Sequence, residues 1–160
     1  MSARLRLLPA SPAGTEPVGS IGVVLAEDHA LLRRLLRLVL DREPDIHVLA
    51  EAADRATMLA CVDAHRPHVL LLDMGFADGH AASMISELRA RAPAVQIVAL
   101  TLDDSPLVAE GALTAGALGY VLKEHADTEL ANAVRAAARG EQRIDPHLRA
   151  SRRAVASQRP

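Results

Sequence analysis

Cysteine, aromatic side chains and long apolar runs are all scarce in this sequence, and each scarcity closes off a class of protein. A single cysteine, Cys61, leaves no partner for an internal disulfide in 160 residues. A stapled secreted scaffold is excluded, and the chain reads as one for a reducing cytoplasm. There is no Trp, one Phe and one Tyr, yet hydrophobic residues make up 50% of the chain. The core must be built from Leu, Val, Ile and Ala, which suit helices packed on a parallel sheet better than an aromatic-rich sandwich. No apolar run reaches the roughly 18 residues of a membrane span. Near the N-terminus, Pro9 and Pro12 cut the apolar stretch after Arg4 and Arg6 far short of the roughly 7–15 residues of a signal-peptide core. Neither sign of charge dominates: the formal net charge is -2 and the pI ≈ 6.4. That balance carries no electrostatic footprint for nucleic acid or an anionic membrane.

What is present is an alternation. Residues 1–20 hold Pro9, Pro12, Pro17, Gly14 and Gly19 without periodicity and read as a flexible tail. Ile21–Ala26 is a short apolar run of the kind buried on both faces of a sheet. A helical pattern follows near 29–42, with Leu32, Leu35, Leu36, Val39 and Leu40 expected inward, until Pro44 ends it. Ile46–Ala50 reads as a more polar edge strand. Asp54 can cap a helix to about Arg66 that turns Met58, Leu59 and Val62 inward. His68–Leu72 is the most apolar strand and ends at Asp73. A loop over 74–79 leads to a helix of about 80–91 with Ile85 and Leu88 inside. Val95–Leu100 runs to Thr101. Asp103, Asp104 and Ser105 before Pro106 mark a helix start, and Gly116 its αL cap. Leu118–Leu122 ends at Lys123. Asp127 or Thr128 caps a last helix to about Arg139, stopped by Gly140. Five strands alternating with five helices imply an α/β fold with a doubly wound parallel sheet covered on both faces.

In such a sheet, ligands bind beyond the carboxyl ends of the strands. The residues expected there are Glu27-Asp28, Asp73, Thr101 and Lys123. Three carboxylates on one rim repel, and a hard divalent cation such as Mg²⁺ resolves the repulsion. Lys123 adds a point charge suited to a phosphoryl oxygen, and Thr101 a hydroxyl that can donate to one. Asp73 at the centre is then a carboxylate nucleophile able to form an aspartyl phosphate, a reaction that needs positioning and charge neutralisation above all.

Residues of about 21–140 resemble the receiver domain of two-component response regulators, most closely the NarL/FixJ-like subfamily. The segments that carry the resemblance are VVLAEDH at 23–29, LLLD at 70–73, ALT at 99–101 and AGALGYVLKE at 115–124. It implies a flavodoxin-like sheet of order 2-1-3-4-5, with residues 1–20 and 141–160 as tail and linker. It implies Glu27 and Asp28 as the acidic pair for Mg²⁺, Asp73 as phosphoacceptor, Thr101 as switch hydroxyl, Lys123 as the phosphate-contacting lysine, and Tyr120 as the aromatic whose rotamer follows phosphorylation. A sensor histidine kinase and a downstream protein are the implied partners; pairing with a second copy is left open.

Two departures from the family pattern stand out. The segment Met74-Gly75-Phe76-Ala77-Asp78-Gly79 lacks the family's proline and is about two residues short. This is the stretch from which the family draws a backbone carbonyl for the metal, here that of Gly75. Second, only about twenty residues follow Gly140, too few for the helix-turn-helix that usually comes next, so no direct DNA binding is expected from this chain. A degenerate receiver serving as a dimerisation or interaction module, and a transcription regulator missing its DNA-binding domain, are the alternative readings. A nucleotide-binding enzyme is disfavoured, since no P-loop occurs.

The remaining residues of note have plain explanations. The seven histidines are scattered without metal-ligand spacing. His29 reads as a cap, Cys61 as a helix-face filler, and Arg149, Arg152, Arg153 and Arg159 as a solvated tail.

Overall fold

A computed structural model describes residues 19–77 and 80–148. The expected N-terminal tail up to residue 18, Asp78 and Gly79 of the altered loop, and the arginines from Arg149 onward lie outside the described residues. The elements in order are β1 (Ile21–Ala26), α1 (Ala30–Asp41), β2 (Ile46–Ala52), α2 (Arg55–His65), β3 (Val69–Asp73), a 3₁₀ turn (Met74–Ala77), α3 (Ala81–Arg91), β4 (Gln96–Thr101), α4 (Pro106–Ala115), β5 (Gly119–Leu122), a 3₁₀ turn (Lys123–His125), α5 (Ala126–Ala138) and β6 (Arg143–Ile144). All strand pairs are parallel, in the order β2-β1-β3-β4-β5-β6.

The inner strands β1, β3, β4 and β5 are mostly apolar because alternate residues feed two cores. Val24, Ala26, Leu70, Leu72, Ile97, Ala99, Tyr120 and Leu122 face α2, α3 and α4. Val23, Leu25, Val69, Leu71, Val98, Leu100 and Val121 face α1 and α5. Period-two alternation with both faces buried is the signature of a sheet clad in helices on each side. Gly119 is required by packing: a Cβ there would stand 2.8 Å from Val98 Cγ2. Gly116 closes α4 at φ 118°, in the left-handed region a side chain rarely enters.

Three local expectations are revised. Leu35 does not face the core; it is half exposed, and with Leu31 and Leu38 it forms a second, solvent-facing stripe on α1. The core takes Leu36 and Leu40, with Leu32 and Val39 packed partly against it, because the sheet accepts only one narrow face of the helix. At the last helix, neither Asp127 nor Thr128 is the cap. The 3₁₀ turn at Lys123–His125 runs straight into α5, and Thr128 Oγ1 donates to the His125 carbonyl.

The third revision adds a strand. Where the pattern stops at Gly140, the chain turns at φ 75° and lays β6 along β5, pairing Gly119 with Arg143 and Tyr120 with Ile144. Ile144 and Leu148 are buried there. Two residues are too short to show periodicity, so only the free edge of β5 recruits them. A helical turn begins at Pro146, as the Asp145-Pro146 pair suggested.

Candidate functional site

The strand order reverses between β1 and β3, and the crevice beyond their carboxyl ends is where the chemistry-bearing residues meet. Glu27 and Asp28 follow β1, Asp73 ends β3, Thr101 ends β4 and Lys123 follows β5. One carboxylate oxygen each from Glu27, Asp28 and Asp73 lies within 4.8 Å of the others. Glu27 and Asp73 are buried, and Asp28 is exposed at the mouth.

Lys123, the chain's only lysine, reaches between two of these acids. Its Nζ lies 2.8 Å from Glu27 Oε2 and 2.8 Å from Asp73 Oδ1, and all three side chains are under one-tenth exposed. Glu27 Oε2 is buried and has no hydrogen-bond partner beyond this contact with the ammonium. Burial pushes the Glu27 carboxyl above its ordinary pKa, and the nearby Asp73 charge adds to the rise; Lys123 and the His29 N–H only partly offset it. For the Lys123 ammonium, burial pulls the pKa down, but close contact with Asp73 and Glu27 outweighs it and the net shift is upward.

The surrounding backbone holds this geometry. Glu27 Oε1 accepts the His29 N–H at 3.1 Å, and Arg33 Nη1 donates to the Glu27 carbonyl at 2.7 Å. His29 in turn caps α1, its Nδ1 accepting from Leu32 N–H. The 3₁₀ turn after β3 brings Gly75 N–H to Asp73 Oδ1 at 3.0 Å. Oδ1 thus takes both Gly75 and Lys123. Asp73, Gly75, Thr101 and Lys123 line one cleft of ≈ 470 Å³, with Met74, Ala81, Leu102, Asp103 and Val108 as its other walls.

Thr101 and Tyr120 are linked through a residue that pattern reading treated only as a helix start. Asp103 N–H donates to Thr101 Oγ1 at 2.9 Å, and the Asp103 carbonyl accepts from the Tyr120 hydroxyl at 3.2 Å. Asp103 Oδ1 also accepts the Ser105 N–H, leading into α4. Tyr120 is fully buried in the inward position, and burial raises its phenol above the ordinary value. No sequence signal marks Asp103 as this link, since it acts on Thr101 and Tyr120 through its main chain. Among the described residues no helix is long and apolar enough to cross a membrane.

Comparison with known proteins agrees with the geometry. The receiver domain of response regulators matches residues 23–135. The oxygen regulatory protein NreC of Staphylococcus epidermidis is 37% identical over 133 residues, 81% of this chain and 60% of its own length. The DNA-binding transcriptional activator DevR/DosR of Mycobacterium tuberculosis is 35% identical over 125 residues, 78% of this chain and 58% of its own. The chain therefore spans about 60% of the length of such curated relatives. Among solved structures, the signal receiver domain of the putative response regulator NarL from Mycobacterium tuberculosis superposes with a TM-score of 0.71 at 30% identity, covering 76% of this chain and 98% of that one. The fold, the order of the strand-end residues and these matches converge: the chain belongs to the response-regulator receiver family, of the NarL/LuxR type.

Proposed function

We propose that Asp73 accepts a phosphoryl group from the phosphohistidine of a sensor histidine kinase and that the change is passed to a protein-interaction surface around α4, β5 and α5. The observation that carries this reading is a buried Asp73 that lines the cleft and has one oxygen, Oδ1, contacted by both Lys123 and Gly75. An Asp73 carboxylate oxygen forms the new bond to phosphorus as the bond from phosphorus to the donor's imidazole nitrogen breaks. The electron pair leaves on the imidazole, which then takes up a proton.

The residues present fit Mg²⁺. Three carboxyl groups meet one ammonium at these strand ends, and the buried Glu27 Oε2 has no hydrogen-bond partner besides that ammonium. Glu27, Asp28, Asp73 and the Gly75 carbonyl are the groups that would hold it. When bound, the ion supplies positive charge opposite the phosphoryl oxygens. Lys123 turns from the carboxylates toward a phosphoryl oxygen. Thr101 exchanges its contact with Asp103 N–H for one in which its hydroxyl donates to the phosphoryl group. Releasing Asp103 frees the segment that carries two largely exposed leucines, Leu102 and Leu107, and the Tyr120 hydroxyl bond changes with it.

Incubation with acetyl phosphate and Mg²⁺, followed by intact-mass analysis of wild type and Asp73→Asn, tests the proposal. Wild type gains one phosphoryl group and the variant none. Equal labelling of both removes Asp73 as acceptor. An unlabelled wild type that also shows no Mg²⁺-dependent NMR shifts favours the interaction module without phosphorylation.

A further inference from the structure

We propose that His125, Asp145 and His147 form a second metal site, chemically distinct from the carboxylate cleft and suited to a borderline transition-metal ion such as Zn²⁺. One ligand atom from each residue lies within 4.8 Å of the others. His125 Nδ1 is 3.0 Å from Asp145 Oδ2, and His147 Nδ1 is 3.1 Å from Asp145 Oδ1. The two imidazoles also stack, with centroids 3.9 Å apart, and their Nδ1 atoms contact the two oxygens of one carboxylate.

The topology explains the convergence. Parallel pairing of β6 with β5 brings the carboxyl ends of both strands to one rim, as it does for the main cleft further along the sheet. Asp145 N–H continues the ladder to the Tyr120 carbonyl at 2.8 Å. Asp145 is 1% exposed, and its oxygens already accept the backbone N–H of Leu122 and of His147. The buried carboxylate is thus satisfied on each oxygen by main chain alone, and two imidazoles are added to it.

The spacings suit an ion. In a tetrahedral site with metal–ligand bonds of about 2.0–2.1 Å, ligand atoms stand roughly 3.3 Å apart. Each Nδ1 stands within a few tenths of an ångström of that from its own Asp145 oxygen, and the three residues' ligand atoms lie within 4.8 Å of one another. To bind the ion, each imidazole presents an unprotonated Nδ1, with its proton on Nε2. Two nitrogens and one carboxylate favour Zn²⁺, Ni²⁺ or Cu²⁺, while Mg²⁺ prefers oxygen ligands. His147 is largely exposed, which leaves the remaining coordination positions to water. Because His125 and Asp145 are 20 residues apart, with α5 between them, the ion would fasten the chain beyond β6 to the turn that carries Lys123.

Calorimetric titration of the full chain with ZnCl₂, in excess Mg²⁺, tests the site, with Co²⁺ absorption as a second readout. One equivalent is expected to bind. His125→Gln and His147→Gln each weaken binding at least about tenfold, and the double variant abolishes it. Both substitutions leave the backbone contacts to Asp145 in place, and circular dichroism checks that the fold is kept. Asp73→Asn binds Zn²⁺ as wild type does. Absence of Zn²⁺ binding, a double variant that binds like wild type, or loss of binding in Asp73→Asn each overturns the proposal.

Discussion

Replacing Lys123 by methionine removes the only ammonium from a site where Glu27 and Asp73 are both buried. At the observed 2.8 Å, each pair is worth about 6 kcal/mol of gross Coulomb attraction at an effective dielectric of about 20. Desolvation cancels much of that. What remains after the substitution is repulsion between two carboxylates whose oxygens lie within 4.8 Å, about 3 kcal/mol or more on the same scale. A buried pair that loses one partner costs about 3–5 kcal/mol, and that is the expected loss in urea unfolding at pH 7 with EDTA present. The deficit has a pH dependence whose sign follows from Glu27. Its folded-state pKa lies above the ordinary 4.5, so its ionisation costs stability as pH rises above that value and nothing below it. Lys123 restrains that rise, so its loss lets the Glu27 pKa climb further, and the variant's deficit is largest at neutral pH and shrinks as pH falls toward 4.5. Mg²⁺ is expected to restore more stability to the variant than it adds to wild type, since it supplies the missing positive charge. A deficit under about 1 kcal/mol in EDTA, or equal stabilisation of both proteins by Mg²⁺, would refute the electrostatic account of the cleft.

Other expectations test the packing that positions the site. Gly119→Ala drives a methyl to 2.8 Å from Val98 Cγ2 at the β4–β5 interface, and should cost about 1–3 kcal/mol in urea. Leu40→Ala, on the buried face of α1, should cost about 2–5 kcal/mol, whereas Leu35→Ala on the exposed stripe should stay within about 0.5 kcal/mol; similar losses would contradict the rotation of that helix. Leu148→Ala removes a side chain only 1% exposed and should cost about 2–5 kcal/mol. An unchanged midpoint would show that the chain after β6 does not belong to the cooperative unit.

The five strands, and the two-faced burial of the inner ones, were legible because apolar runs bounded by Pro44, Pro67, Pro93 and Gly116 leave little other choice. The cap at Asp54 was legible for a local reason as well: its carboxylate accepts the Thr57 N–H three residues on. The rotation of α1 was not, since Leu35 and Leu36 are equally apolar and only contact with the sheet separates them. Nor was the role of Asp103, which joins Thr101 to Tyr120 through backbone atoms any residue possesses.

By itself, the order of residues determined which side chains would stand at the strand ends, because strand length and direction are local properties: Glu27, Asp28, Asp73, Thr101 and Lys123 follow from apolar runs and their breaks. Only the tertiary structure decided distances and partners. It put Lys123 at 2.8 Å from both Glu27 and Asp73, recruited Arg143–Ile144 as a sixth strand, and gathered His125, Asp145 and His147 from either side of α5. Such meetings depend on sheet order and on the free edge of β5, which are set by the packing of the whole chain and leave no periodicity in a short segment to read.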